Sequence, residues 1–201
     1  YRMALGYLYS LMGPDIPLEG LPMMRRIDSE ELAVVKRQIE RGLNSPLTSG
    51  AGRLFDAVSA LAGVRGVVDY EAQAAIELEM LATDLMNPAD SSCYPFCIVE
   101  QAGGRVVKLA DLISAVVQDV KQGVSAPAIA ARFHRTVAET IVRMCCLVSS
   151  DKGVRLVALR GGVFQNRLLL GLTVEALRGE GFEVLTHRIV PCNDGGISLG
   201  Q

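Results

Sequence analysis

Two glycine-rich stretches near the C-terminus carry residue types suited to an anionic ligand. In LRGGVFQNR, residues 159–167, an apolar run ends at Gly161-Gly162 and a helical pattern begins near Asn166. Glycine has no Cβ, so a flat base or a phosphate can come close to the backbone, and the unpaired N–H groups of a helix start favour an anion. Asn166 adds a donor and an acceptor for a ribose or a base. The same pattern also describes an ordinary strand-to-helix connection, and spacing alone leaves both readings open. In CNDGG, residues 192–196, Asp194 offers a carboxylate for a divalent cation or a phosphate-bound water; it equally suits an Asx-turn closing on its own backbone. A third carboxylate, Asp56, follows Gly52 and Arg53 and lies opposite the apolar Leu54, Val58 and Leu61. It either pairs with Arg53, an exposed contact contributing ~0.2–0.5 kcal/mol, or accepts both hydroxyls of a ribose.

Other nucleophile and ligand sets are poorly supplied. The chain has two histidines, His134 and His187, and no Ser-His-Asp or Cys-His spacing. His134 neighbours the inward face of a long helical pattern and is expected to be a hydrogen-bonded packing residue. His187 ends a strand beside Arg188, where a small anion site is the alternative to a plain surface position. Five cysteines are odd in number, and Cys93 and Cys97 are separated by three residues, against the two usual in zinc clips. Free thiols in a reducing cytoplasm are the expectation, and zinc is not.

The elements that must position these residues follow from periodicity. Residues 28–42 read as a helix with Asp28 as cap, Glu31 at the reciprocal position, Gly42 past the end, and Leu32, Val35 and Ile39 on one face. A Ser/Pro/Gly loop over 43–52 leads to the Leu54, Val58, Leu61 stripe, closed by Gly63, and another helix covers 71–86. Character changes at 86–92, a hinge by composition. YPFCIVE and GRVVKL predict two strands joined at Gly103-Gly104. Helices over 111–121 and 126–148 follow, the second with Ile129, Phe133, Val137, Ile141 and Met144 inward. Residues 154–159 are apolar almost throughout, as for a strand covered on both sides. A helix over about 166–178, a strand at 182–186 and a terminal loop complete the order. Strand, helix, strand argues for an α/β sheet with ligand loops at the strand ends. The expected organisation is a mainly helical portion, 1–90, and an α/β nucleotide-binding portion, 91–201.

Composition supports a folded chain: half of its 201 residues are apolar and 21% are charged. A net charge of −2 gives no broad attraction to nucleic acid or an anionic membrane, so neither is an expected partner. No apolar run approaches the roughly 18–20 residues of a membrane span. The opening YRMALGYLYSLMG lacks an initiator Met and a cleavage site, so the chain is expected to be part of something longer.

The fragments SGAGRLFDAVSALAGV, DYEAQAAIELE, YPFCIVE, ARFHRTVAE, GGVFQNRLLL and VPCNDGGISLGQ occur in an order that resembles the C-terminal domain of the HypF-type hydrogenase maturation carbamoyltransferases. A looser likeness extends to the tRNA threonylcarbamoyl transferases, where GRLFD corresponds to GEAFD and GGVFQN to GGVAAN. The resemblance implies an α/β half-domain of the actin-like ATPase (ribonuclease H-like) fold with a helical N-terminal portion. It implies that carbamoyl phosphate and ATP form a carbamoyl-adenylate in an upstream domain. The present domain would pass the carbamoyl group to the C-terminal cysteine of a partner, a HypE-type maturation protein, for the cyanide ligand of a [NiFe]-hydrogenase. By the same resemblance Asp56 binds the ribose hydroxyls, Gly161, Gly162 and Asn166 line the adenosine (ATP or AMP) site, and Asp194 joins a divalent metal, Mg or Fe, whose histidine ligands lie upstream of Tyr1. The alternatives are a tRNA threonylcarbamoyladenosine-forming transferase or a non-catalytic nucleotide-binding or docking fragment. The isolated chain is expected to be inactive. Two positions depart from the pattern: Ala72-Gln73 stand where the tRNA enzymes have Gly-Gly, and Arg160 precedes the glycine pair where a small residue is usual.

Overall fold

The computed structural model describes residues 1–15, 18–87 and 89–199. The hinge expected at 86–92 contains Pro88, and the terminal motif ends in Gly200-Gln201; these three lie outside the described residues. The chain forms two compact units: Tyr1–Asn87 with Tyr94–Ala131, and Pro88–Cys93 with Arg132–Gln201. These do not coincide with the 1–90 and 91–201 portions, because residues 94–131 associate with the N-terminal helices.

The first unit contains α1 (Arg2–Met12), α2 (Ser29–Arg41), α3 (Ala51–Leu61), α4 (Gln73–Thr83), β1 (Cys97–Gln101), β2 (Gly104–Lys108) and α5 (Ala110–Lys121), with a short 3-10 helix at Pro22–Arg26. Local signals set the boundaries. Asp28 accepts the Glu31 amide at 2.7 Å to cap α2, and Gly42 ends it at φ 64°, a left-handed conformation that costs glycine little. The Glu31 carboxylate, expected to return to the cap, instead accepts from the Tyr1 hydroxyl. Helix α3 is the centre of this unit: Leu54, Phe55, Ala57, Val58, Ala60 and Leu61 are all buried, well beyond a single stripe. It is covered by α1, α4 and α5. Gly63 follows it at φ 76°, and a Cβ there would stand 2.7 Å from Pro22 Cβ, so this position needs glycine both for its dihedral and for space. β1 and β2 pair antiparallel, Cys97 opposite Lys108 and Gln101 opposite Gly104. The segment before the hairpin is pinned by Tyr94, whose hydroxyl donates to Asp119 of α5 at 2.8 Å.

The second unit holds most of α6 (Ala126–Lys152), then β3 (Leu156–Leu159), a 3-10 turn (Gly162–Gln165), α7 (Arg167–Gly179), β4 (Glu183–Thr186) and a 3-10 helix from Asp194 to Leu199, where the sequence reads a loop. β3 and β4 are parallel, Leu156 opposite Glu183 and Leu159 opposite Thr186. Val142, Leu159, Leu177 and Phe182 form the core, with Val157, Phe164, Val174 and Val184 packed on it. Full burial of such side chains contributes roughly 1.5–3 kcal/mol each.

Two expectations change here. Beyond Phe133 the buried positions of α6 are His134, Thr136, Ala138, Val142 and Ser149, and Ala138 and Val142 are offset by one residue from Val137 and Ile141. The row that faces the core is chosen by what packs there, so small residues replace the larger apolar row. And β3 is not covered on both sides: Val157 and Leu159 face the core, while Leu156 stays 50% exposed, because among the described residues β3 pairs only with β4. The mixed α/β class itself holds.

Candidate functional site

Two of the stretches singled out by residue type meet in the second unit. The Gly161 amide, at the end of β3, donates to the Cys192 carbonyl at 2.8 Å, which ties the double-glycine turn to the acidic loop 31 residues later. A Cβ on Gly162 would lie 3.9 Å from Asn193 Cβ, so the two loops are in ordinary contact there. Gly161 has φ 109°, a conformation that disfavours other residues, and a Cβ on it would meet nothing within 4 Å. The backbone of the turn is therefore open in front of Gly161, as a closely approaching planar ligand requires. The acidic loop is held by its own contacts: Asn193 Oδ1 accepts the Gly195 amide at 3.2 Å, and the Gly196 amide reaches the Asn193 carbonyl at 3.1 Å. A Cβ on Gly196 would stand 2.9 Å from the Pro191 carbonyl oxygen, so this loop too is built for glycine. It is Asn193, next to the expected Asp194, that makes the Asx-type turn.

Asp194 opens the terminal 3-10 helix and is exposed. Among the described residues no three His, Cys, Asp or Glu side chains are grouped to hold a metal ion. A divalent cation with six or more oxygen ligands does not fit one carboxylate.

Asn166 occupies a more committed position than the sequence suggests. It is the N-cap of α7: its Oδ1 accepts the Leu169 amide at 2.7 Å, and the residue is only 9% exposed. Its Nδ2 lies 3.0 Å from Nε2 of His134, which is fully buried on α6. His134 is thus the hydrogen-bonded packing residue expected of it, but its partner, 32 residues away, left no trace in the spacing. Arg160 is exposed, and His187 and Arg188 are exposed beyond β4.

Asp56 lies in the first unit, on the half-buried side of α3. Its Oδ2 accepts from Arg53 Nη1 at 3.2 Å, with the arginine side chain 62% exposed and the aspartate 25%. The phenol of Tyr7 is nearby: burial pushes its pKa up, and the Asp56 charge adds to that. The adjoining loop is tied to α4 by a side-chain network. Arg65 makes a bidentate pair with Glu77 (Nε to Oε2 2.9 Å, Nη2 to Oε1 2.6 Å), Gln73 Nε2 donates to the same carboxylate at 2.9 Å, and Gln73 Oε1 accepts the Asp69 amide at 2.7 Å. The Arg65 guanidinium, followed by Gln73, holds the Glu77 carboxyl below the usual glutamate range. Ala72, one of the departing positions, starts α4 at φ 62°.

A shallow groove of about 510 Å³ runs along α7 from Arg167 to Arg178, with Thr186 on its wall. None of the candidate residues lines it.

The whole chain, residues 1–201, matches the family described as carbamoyltransferase, Kae1-like domain, second subdomain. Carbamoyltransferase HypF of Synechocystis sp. is 30% identical over 213 residues, covering 100% of this chain and 27% of that protein. The crystal structure of full-length HypF in the phosphate- and nucleotide-bound form superposes with a TM-score of 0.86 at 38% identity, covering 100% of this chain and 25% of that one. A tRNA N6-adenosine threonylcarbamoyltransferase of Prochlorococcus marinus is 33% identical over 72 residues, 36% of this chain and 20% of that protein. The chain thus spans about a quarter of the length of these HypF relatives. It belongs to the HypF carbamoyltransferase family, as the second subdomain of the Kae1-like domain.

Proposed function

We propose that this chain supplies the adenosine-binding and acyl-transfer half of a hydrogenase-maturation carbamoyltransferase. The observation that carries the reading is the junction of the Gly161-Gly162 turn with the 192–196 loop, open at Gly161, in a chain of this family. In the complete protein a carbamoyl-adenylate, made elsewhere from carbamoyl phosphate and ATP, would lay its adenosine against Gly161 and Gly162. Asn166 would anchor that turn, Asp56 would accept the ribose hydroxyls, and Asp194 would stand beside the phosphate. A divalent ion would need further ligands from the rest of the protein.

The reaction asks little covalent chemistry of this chain. A partner's C-terminal cysteine sulfur attacks the carbamoyl carbon, the bond from that carbon to the AMP phosphate oxygen breaks, AMP leaves as the anion, and the thiol proton passes to solvent. The product is a thiocarboxamide on the partner, of the HypE type. AMP is already a good leaving group, so the contribution needed is positioning of the two reactants. The nucleophile belongs to the partner, which agrees with the cysteines here: Cys93 and Cys145 have thiols pushed up by burial, the opposite of activation. Free thiols at all five cysteines support a reducing cytoplasm. Among the described residues no helix is long and apolar enough to cross a membrane.

In the full-length protein Asp194→Ala is expected to abolish carbamoylation of the partner cysteine and to preserve adenylate formation upstream. Transfer at the wild-type rate would end this assignment. The isolated 201 residues, holding one carboxylate of any metal set, are expected to bind AMP weakly and to turn nothing over, as a calorimetric titration would register.

A further inference from the structure

The paired contacts of Asn166 determine a protonation state. A backbone amide only donates, so the Asn166 atom 2.7 Å from the Leu169 nitrogen is the oxygen. The other arm of the amide, 3.0 Å from His134 Nε2, is then the nitrogen, a donor. His134 Nε2 must accept, so the ring is neutral and carries its proton on Nδ1. An imidazolium would oppose two donors in a place where the histidine has no exposed surface.

We propose that His134 is a positioning residue for the double-glycine turn. From the N-terminal third of α6 it fixes the Asn166 side-chain amide in the orientation that caps α7. The cap in turn sets where the Gly161–Gln165 turn enters the helix, because the Asn166 amide also closes that turn on the Val163 carbonyl at 3.2 Å. The helix α6, the turn and the start of α7 are thereby locked together by three hydrogen bonds inside the unit, all made by Asn166. One consequence concerns ligand choice. With one lone pair of its oxygen on the cap and one amide hydrogen on His134, Asn166 keeps a second amide hydrogen and a second lone pair for a ligand.

The positioning role rests on the reading of the turn as an adenosine site, and the test separates the two. Full-length protein with [15N]histidine confined to this chain presents two imidazoles, and His134→Gln identifies His134. The expected spectrum at neutral pH shows protonated Nδ1 and bare Nε2 for His134; the opposite tautomer or an imidazolium overturns the proposal. Calorimetry with AMP on the same protein then reads the role, counting as this site the binding removed by Gly162→Val, which sets a side chain on the turn where a Cβ has only ordinary contact, 3.9 Å from Asn193 Cβ. His134→Leu is expected to weaken it about tenfold, the scale of one buried hydrogen bond. His134→Gln, whose carbonyl oxygen can take the Asn166 proton, is expected to stay within about threefold of wild type. Full affinity in His134→Leu, or equal losses in both variants, overturns the positioning role. Wild-type protein with no binding sensitive to Gly162→Val overturns the adenosine reading and the role that rests on it, whatever the tautomer.

Discussion

Helices α2 and α7 begin in the same way and live in different surroundings. Asp28 caps α2 and Asn166 caps α7, each through a side-chain oxygen 2.7 Å from the amide three residues on. Asp28 is exposed, whereas Asn166 is buried and its other arm faces His134. At the surface a cap is a local device, and any side chain with an acceptor at that distance serves. In the interior every polar atom needs a partner, so the same local device is bound to a residue on another helix and the choice narrows to one that both accepts and donates. A third start, that of α4, has no side-chain cap at all: Ala72 stands there in a left-handed conformation, and the Arg65, Gln73 and Glu77 network holds the segment instead.

Swapping the two caps is the sharpest way to break this comparison. Asn166→Asp keeps the acceptor for Leu169 but has no proton for His134 Nε2, so the histidine must lose this bond or take a proton on Nε2, and a charge is placed in the interior. The start of α7 should loosen by about 2 kcal/mol or more. Asp28→Asn retains what α2 needs and should change its start by less than about 0.5 kcal/mol. Hydrogen exchange at the Leu169 and Glu31 amides reads both. Equal effects at the two sites would mean that burial adds nothing to the cap.

Ala72 offers a smaller effect of opposite sign. At φ 62° alanine bears a steric cost that glycine does not, so Ala72→Gly should stabilise the start of α4 by up to about 1 kcal/mol. Slower exchange at the Ile76 amide, which donates to the Ala72 carbonyl at 2.9 Å, is the expected sign. No change would show that the network has already absorbed the strain.

The network itself should respond to acid. Glu77 is held below the usual glutamate range by Arg65 and Gln73, so its tie is fully present above the ordinary value near ~4.3 and is lost as pH falls through the depressed one. Exchange at the Asp69 amide, corrected for its intrinsic pH dependence, should rise only in that acidic window, while the Leu169 amide stays protected there. Loss at both together would indicate collapse of the whole chain and not a local tie.

Much of this was legible in the residues. The Asp28 and Gly42 ends of α2, the hairpin at 97–108 and the β3, turn, α7, β4 order all follow from signals confined to a few neighbouring positions, and the structure has them. The meeting of GGVFQN with CNDGG followed only from the family likeness, since neither stretch contains anything that points to the other. Where the residues misled, packing had intervened. The apolar row Val137, Ile141, Met144 was plausible for α6, but the core accepts the smaller row beside it. The strand at 154–159 looked like a central one and is half exposed, because sheet position depends on how many strands gather, not on the strand.

By itself, then, the sequence determined both ends of α2 and the start of α7, which turns require glycine, and the family to which the chain belongs. Those depend on dihedral preferences and on partners within a turn or two, where chain connectivity keeps the groups close. Only the tertiary structure decided that residues 94–131 join the N-terminal helices, that β3 leaves one side open, and that Asn166 answers to His134. Contacts across 32 residues are chosen by which buried polar groups can satisfy one another once the chain has packed, and no spacing rule encodes that.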